Sequence, residues 1–246
     1  MLRRTEGIVL RTVPFGEADL IVTYLTPDYG LIRLFAKSPR KIKSRFGSSL
    51  EPLTHSRISF WGREDAPLPK LTQSDIMHAF QAIRDKLDFF MKVSRLIELT
   101  ISFMPERDAN KKVYALLLNT LKEMEEAGAS IDDLIADHYR IRLLDLAGFA
   151  PRLDTCGRCG KSCDTFYISQ GSLLCKTCTR GIDLPIKISP AVLKLYTDLL
   201  TWDTSKIRRI KPSKRLISEL SAIINMHIKY ILARPLRSDA FEQSIH

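Results

Sequence analysis

Apolar residues in the first third of the chain recur with a period near two, in short bursts separated by turn residues. Gly7 to Val13, Asp19 to Thr26, Gly30 to Lys37, Thr54 to Trp61 and Lys70 to Ala79 read as five strands. Pro27-Asp28-Tyr29-Gly30 predicts the turn between the second and third, because proline presets the bend and glycine admits positive φ. Five strands in so short a span suit a small barrel, of which the OB-fold is one kind.

After Phe80 the period changes. Phe80, Ile83, Leu87, Phe90, Met91, Ser94, Ile97 and Ile101 follow helical spacing until Pro105 ends the run. Val113, Leu116, Leu117, Leu121 and Met124 mark a second helix that stops near Gly128. Ser130, with Asp133 three residues on, opens a third, and Gly148 closes it. Helices resume with Ser189 as N-cap and Pro190 at the first helical position, where no amide hydrogen is needed. A last helix spans Ser213 to Leu232, burying Leu216, Leu220, Ile223, Ile224, His227, Ile228 and Ile231. The predicted architecture is α+β: a five-stranded β module over residues 1–80, then a helical domain over 81–246 interrupted by an insert at 154–180.

The insert carries the candidate chemistry. Cys156-Gly157-Arg158-Cys159 and Cys175-Lys176-Thr177-Cys178 are two CxxC knuckles at the spacing of a four-cysteine zinc ribbon. Each turn aims two sulfurs at one point, and two turns complete the tetrahedron that zinc accepts. Four thiolates leave no open position for water, so Cys156, Cys159, Cys175 and Cys178 predict one structural Zn2+ rather than a catalytic one. Cys163 fits neither knuckle. Thr165 to Ile168 and Ser172 to Leu174 can pair as a small hairpin between them, too small for a core of its own, which metal binding would replace.

Charge changes the picture further. The chain carries +10, with 38 basic and 28 acidic residues, and the excess falls toward its two ends. A segregated excess suggests a face that meets a polyanion, nucleic acid before membrane. No acid lies between Asp28 and Glu51, whereas Arg33, Lys37, Arg40, Lys41, Lys43 and Arg45 accumulate there, the first two on a strand and the rest on the loop after it. Side chains of this kind can track a phosphate backbone. Phe35 and Phe46 lie nearby; Phe35 is more simply a core residue, and Phe46 is a weaker candidate to touch DNA. A second cluster, Lys206, Arg208, Arg209, Lys211, Lys214 and Arg215, lies before and inside the start of the last helix, where exposed amides and basic groups together attract phosphate. For both clusters the alternative is a solvated surface.

Several classes are excluded or disfavoured. No window approaches a transmembrane length of apolar residues, and the N-terminus lacks a secretory leader, which predicts a cytoplasmic protein with no membrane partner. There is no GxxxxGK[ST] loop, HExxH or GxSxG elbow, so no catalytic constellation is legible and a non-enzyme is expected. His138 and His227 read as satisfied packing residues.

These residues also resemble a known family. Gly16-Glu17-Ala18-Asp19-Leu20-Ile21-Val22, Leu25-Thr26, Tyr29-Gly30, Ala36-Lys37 with Arg40, Ser44-Arg45 and Leu50-Glu51-Pro52 are similar in order to the N-terminal signature of RecO proteins. Ala147-Gly148-Phe149-Ala150-Pro151-Arg152-Leu153 leading into Cys156, and Tyr230, Pro235-Leu236-Arg237-Ser238 and Phe241, resemble its later segments. Two departures are Ser38, where the family usually has glycine, and Glu51, where it usually has glutamine.

The resemblance implies an N-terminal OB-fold DNA-binding domain, a helical domain and a zinc insert. It further implies a nucleoid-associated mediator of DNA repair and recombination. Such a protein binds single-stranded DNA, anneals complementary strands without ATP, and acts with RecR and the C-terminal tail of single-stranded-DNA-binding protein in recombinase loading. The rivals are a zinc-ribbon transcription factor reading duplex DNA and a zinc-dependent hydrolase, the latter disfavoured by the closed thiolate set.

Overall fold

The structure is a computed structural model that describes residues 1–39, 46–63, 66–127, 133–181, 184–236 and 238. Contacts divide the chain into two compact units, Met1–Ser130 and Ile131–His246.

In the first unit five strands form where the alternation predicts them: β1 (Leu2–Phe15), β2 (Asp19–Thr26), β3 (Gly30–Ala36), β4 (His55–Trp61) and β5 (Lys70–His78). The sheet closes on itself in the order β1-β2-β3-β5-β4. β1 is long enough to serve two neighbours. Its first half pairs with β4, Leu2 opposite Trp61 through Ile8 opposite His55, and its second half pairs with β2, ending at Phe15 opposite Asp19. The register shifts between Val9 and Arg11, where the strand passes from one partner to the other. Closure comes from a single parallel contact, Phe35 beside Lys70.

The inward faces of the strands supply Val9, Val22, Tyr24, Ile32, Leu34, Ile58, Phe60 and Leu71, and Phe46 and Leu50 from the β3–β4 connection join them. Gly30 has φ +62, and a Cβ there would lie 2.1 Å from the Asp108 carbonyl oxygen. Glycine is therefore required at this turn twice over, by conformation and by space.

The single helix expected from Phe80 is broken. Phe80 takes a left-handed conformation (φ 46) ahead of α1 (Gln81–Arg84), and Lys86 is extended ahead of α2 (Leu87–Phe103). The break resets the helical phase by one residue. The buried stripe runs Phe89, Val93, Leu96, Thr100 and Phe103, with expected Ile97 also buried, whereas Phe90, Met91, Ser94 and Ile101 are only half-buried and Leu87 stands 61% exposed. Arg84 of α1 ion-pairs with Glu51, so the acid that departs from the family pattern has a cationic partner. α3 (Lys111–Ala127) begins where Asn110 Oδ1 accepts the Val113 N–H at 3.1 Å. It seats Tyr114 against the barrel, its hydroxyl 2.9 Å from His55 Nε2.

The second unit is built on α4 (Asp133–Leu146), a helix buried on nearly every side and contacted by α5 (Pro190–Thr201), α6 (Thr204–Ile207) and α7 (Lys214–Leu232). Ser189 and Ser213 cap α5 and α7 through Val192 N–H and Leu216 N–H, as their sequences predict. The α7 stripe is Ile217, Leu220, Ile223, Ile224, His227 and Ile228, with Leu216 and Ile231 only half-buried. Ser130, expected to open the third helix, lies outside the described residues. Asp137 is fully buried on α4 and accepts hydrogen bonds from Arg140 and from Ser221 of α7. Burial raises its pKa, and Arg140 opposes the shift.

The two helical histidines pack as expected but are not satisfied as expected. His227 Nε2 meets the Phe149 carbonyl at 2.9 Å, and among the described residues its Nδ1 and both ring nitrogens of buried His138 lack a partner within hydrogen-bond geometry. Burial, with Arg142 adding to it, pushes the His138 pKa down to about 4 against a smaller opposing pull from the Trp202 backbone and Asp203. The neutral ring belongs to the fold, so its stabilising share is complete above pH 6.5 and is lost as pH falls from there toward about 4. A drop of about 3 kcal/mol follows from the size of that shift. Unfolding measured between pH 7 and 4 should show this drop in the wild type and a flatter profile in His138→Phe; identical profiles would refute it.

Candidate metal centre and nucleic-acid face

The candidate metal centre is assembled by a four-stranded sheet, β6-β8-β7-β9, made of β6 (Arg152–Cys156), β7 (Thr165–Tyr167), β8 (Ser172–Leu173) and β9 (Pro185–Lys187). The expected hairpin is β7 with β8, Phe166 opposite Leu173. The parallel pairing of β6 with β8 sets Cys156 beside Leu173 and so brings the first knuckle next to the second. This approach is close: Gly157 N–H donates to the Leu173 carbonyl at 2.9 Å, and a Cβ at Gly157 would lie 2.1 Å from Ser172 Oγ. A side chain after the first cysteine would require Ser172 to move aside.

The four predicted sulfurs, Cys156, Cys159, Cys175 and Cys178, lie within 4.8 Å of one another, and Cys159 and Cys175 are 3.5 Å apart. Sulfurs arranged tetrahedrally at 2.3 Å from a common ion stand about 3.8 Å apart, so the spacing fits a metal. Ionisation is split among them. The Cys175 backbone N–H, 3.4 Å from Cys156 Sγ, leads the interactions that pull the Cys156 thiol down to about 6, and the Thr177 hydroxyl lowers Cys175. Contact with Cys159 leads those that push Cys178 up to about 12. Four thiolates this close repel one another, and a divalent cation is the countercharge that lets all ionise. Cys163 stands outside the set. It packs on Cys156, Tyr167 and Leu174, and burial first of all raises its thiol to about 11.

The basic residues are placed less uniformly. Arg33 is half-exposed on β3, but its guanidinium grips Glu106 with Nε and Nη2 at 3.0 and 3.1 Å, so that cation is already engaged. Lys37 is exposed just past β3. Arg40, Lys41, Lys43 and Arg45 lie outside the described residues. Ahead of them Ser38 has φ 54, a conformation suited to glycine, and its N–H donates to Asp19 Oδ1 at 2.6 Å. Lys206, Arg208, Arg209, Lys211, Lys214 and Arg215 are all exposed along α6, the turn after it and the first turn of α7. Arg215 also pairs with Glu219 at 2.9 Å. The two clusters belong to different units.

Two aromatic expectations change. Phe46 is only 3% exposed in the barrel core, so it does not face a ligand. Phe35 is half-buried and meets the exposed Phe15 edge-on, ring centres 5.9 Å apart. Trp61, absent from the aromatic candidates above, is 60% exposed at the end of β4. Its alternation with inward Phe60 was the available signal.

A closed OB-like β module and a helical region with a four-cysteine cluster able to hold a metal define a two-part class of protein. Comparison with known families agrees. The model for the recombination protein O N terminal matches residues 1–80 and that for the recombination protein O C terminal matches residues 87–240. The chain is 44% identical over 238 residues to the DNA repair protein RecO of Thermodesulfovibrio yellowstonii, covering 93% of this chain and 92% of that one. It is 33% identical to the same-named protein of Thermobifida fusca, over 96% of each chain. Against that of Dehalococcoides mccartyi strain 195 it is 32% identical, over 94% of this chain and 91% of the other. The chain belongs to the RecO family.

Substituting one knuckle residue tests the centre. Cys175→Ala should lose bound metal and raise hydrogen exchange across residues 154–180, while the barrel strands keep their protection. Metal content equal to wild type, measured by atomic emission, would remove the assignment.

Proposed function

We propose that this chain is a DNA repair and recombination mediator that binds single-stranded DNA and anneals complementary strands without ATP. The observation that carries the reading is the family match across both parts of the chain, with relatives named DNA repair proteins. The OB-like barrel supports it, since such barrels bind oligonucleotides, and so does the excess of exposed cations. The barrel face and the acid-free stretch through Arg45 neutralise the phosphates of one strand, and the Lys206–Arg215 cluster helps to hold another. Screening one polyanion from the other lets complementary bases meet with no nucleotide consumed.

Zinc is the metal we assign to Cys156, Cys159, Cys175 and Cys178, because a closed set of four thiolates suits it and leaves no site for a reacting water. When bound it supplies a cross-link, and the chain acts without catalysis. Its partners in this reading are RecR and the C-terminal tail of single-stranded-DNA-binding protein, in the cytoplasm at the nucleoid. Among the described residues no helix is long and apolar enough to cross a membrane.

Salt dependence is the test. With Arg33 held by Glu106, five cations of the first cluster remain, Lys37, Arg40, Lys41, Lys43 and Arg45. Log affinity for a single strand should then fall against log salt with a slope of about −3.5, at about −0.7 per phosphate contact. Replacing Lys41, Lys43 and Arg45 by alanine should bring the slope to about −1.4 and slow annealing. An unaltered slope overturns the assignment of this stretch, and preference for one duplex sequence favours the transcription-factor reading.

A further inference from the structure

The outer surface of the barrel carries a cross-strand row that the charge argument does not use. Leu2 on β1 pairs with Trp61 on β4, Trp61 with Lys70 on β5, Lys70 with Phe35 on β3, Phe35 with Ile21 on β2, and Ile21 with Val13 back on β1. Residues registered across neighbouring strands point to the same side of a sheet. That side is the outside, because the adjacent Val22, Leu34, Phe60 and Leu71 are all in the barrel core. Around the row Leu2 is 52% exposed, Trp61 60%, Val13 37% and Phe15, edge-on to Phe35, 52%.

We infer that Trp61 and the Phe15–Phe35 pair form a base-stacking platform for single-stranded nucleic acid on this face, with Lys70 placed between them for the phosphate. The inference rests on the proposed single-strand binding and adds to it the residues that meet bases instead of phosphates. Trp61 and Phe35 are separated by two strand spacings, about 9.6 Å, which seats separate bases on the two aromatic sites. The one charge in the row is the cation Lys70, with exposed Arg4 two positions along β1 from Leu2 and exposed Lys37 two beyond Phe35. A protein partner is the poorer occupant, since the centre of a protein interface is depleted in lysine whereas a nucleic-acid groove interleaves cations with aromatic rings.

The test uses the full chain. Trp61 and Trp202 are the two tryptophans, so a Trp202→Phe protein reports on Trp61 alone. An oligothymidylate should quench its emission, and an abasic strand of the same length should not. Trp61→Ala should weaken binding of the oligothymidylate about 5- to 150-fold, the range of one stacked base, with the salt slope unchanged. Trp61→Phe should retain most of the affinity, and circular dichroism should show both variants folded, as expected for so exposed a side chain. Binding that stays salt-dependent but is unaffected by Trp61→Ala, without quenching, overturns the platform and leaves the proposed function standing. Absence of single-strand binding at low salt overturns both. A dimer in sedimentation that Trp61→Ala disperses, with DNA affinity unchanged, assigns the face to a second copy of the chain and refutes the platform.

Discussion

Closure of the five-stranded sheet is the constraint on which the first unit depends. Four antiparallel pairings alone would leave β3 and β5 as open edges, with unpaired backbone groups available to any other chain. The parallel contact of Phe35 with Lys70 joins those edges. Once they meet, each strand must turn one side inward and the other outward. Val22, Leu34, Phe60 and Leu71 fill the interior, and their sequence neighbours Ile21, Phe35 and Trp61 are left on the surface. The exposed apolar row on the outside of the barrel is thus a by-product of sealing its core. The length of β1 serves the same end, because one strand must reach both β2 and β4.

A different economy governs the cysteine sheet. Its strands are two to five residues long, and its buried cluster consists of Cys156, Tyr167 and Leu174, with Cys163, Cys175 and Cys178 packed against it. So small an apolar set cannot hold two knuckles in place against chain entropy. Three of the four clustered sulfurs, those of Cys156, Cys175 and Cys178, are themselves part of that packing, so a metal held by them would cross-link the core through its own atoms. The absence of any side chain at Gly157 lets the first knuckle lie against β8, and the sheet aims the sulfurs.

Within the second unit the polar groups are placed with less slack. Asp137 keeps its cationic partner Arg140 and its hydroxyl donor Ser221 inside the packing of α4 against α7. His138, one residue on, is buried with neither ring nitrogen in hydrogen-bond geometry among the described residues. An acid with bonded partners and a histidine without them thus stand side by side on one helix. The histidine is the one whose protonation the fold opposes.

Much of this was legible in the chain itself. The five strands, the glycine turn at Gly30, the serine caps at Ser189 and Ser213 and the two CxxC knuckles are local signals. Each is set by side chains a few residues apart, and each appears where the spacing puts it. What only the tertiary structure decided involves residues distant in sequence. Arg33 is claimed by Glu106, 73 residues away. Phe46 turns into the barrel, the helix after Phe80 breaks so that its buried stripe shifts, and β6 and β9 join the hairpin on either side. Periodicity reports which face of an element is apolar, but not which partner covers that face. Pairing across the fold settles that, and with it which cations and aromatic rings remain free to meet a ligand.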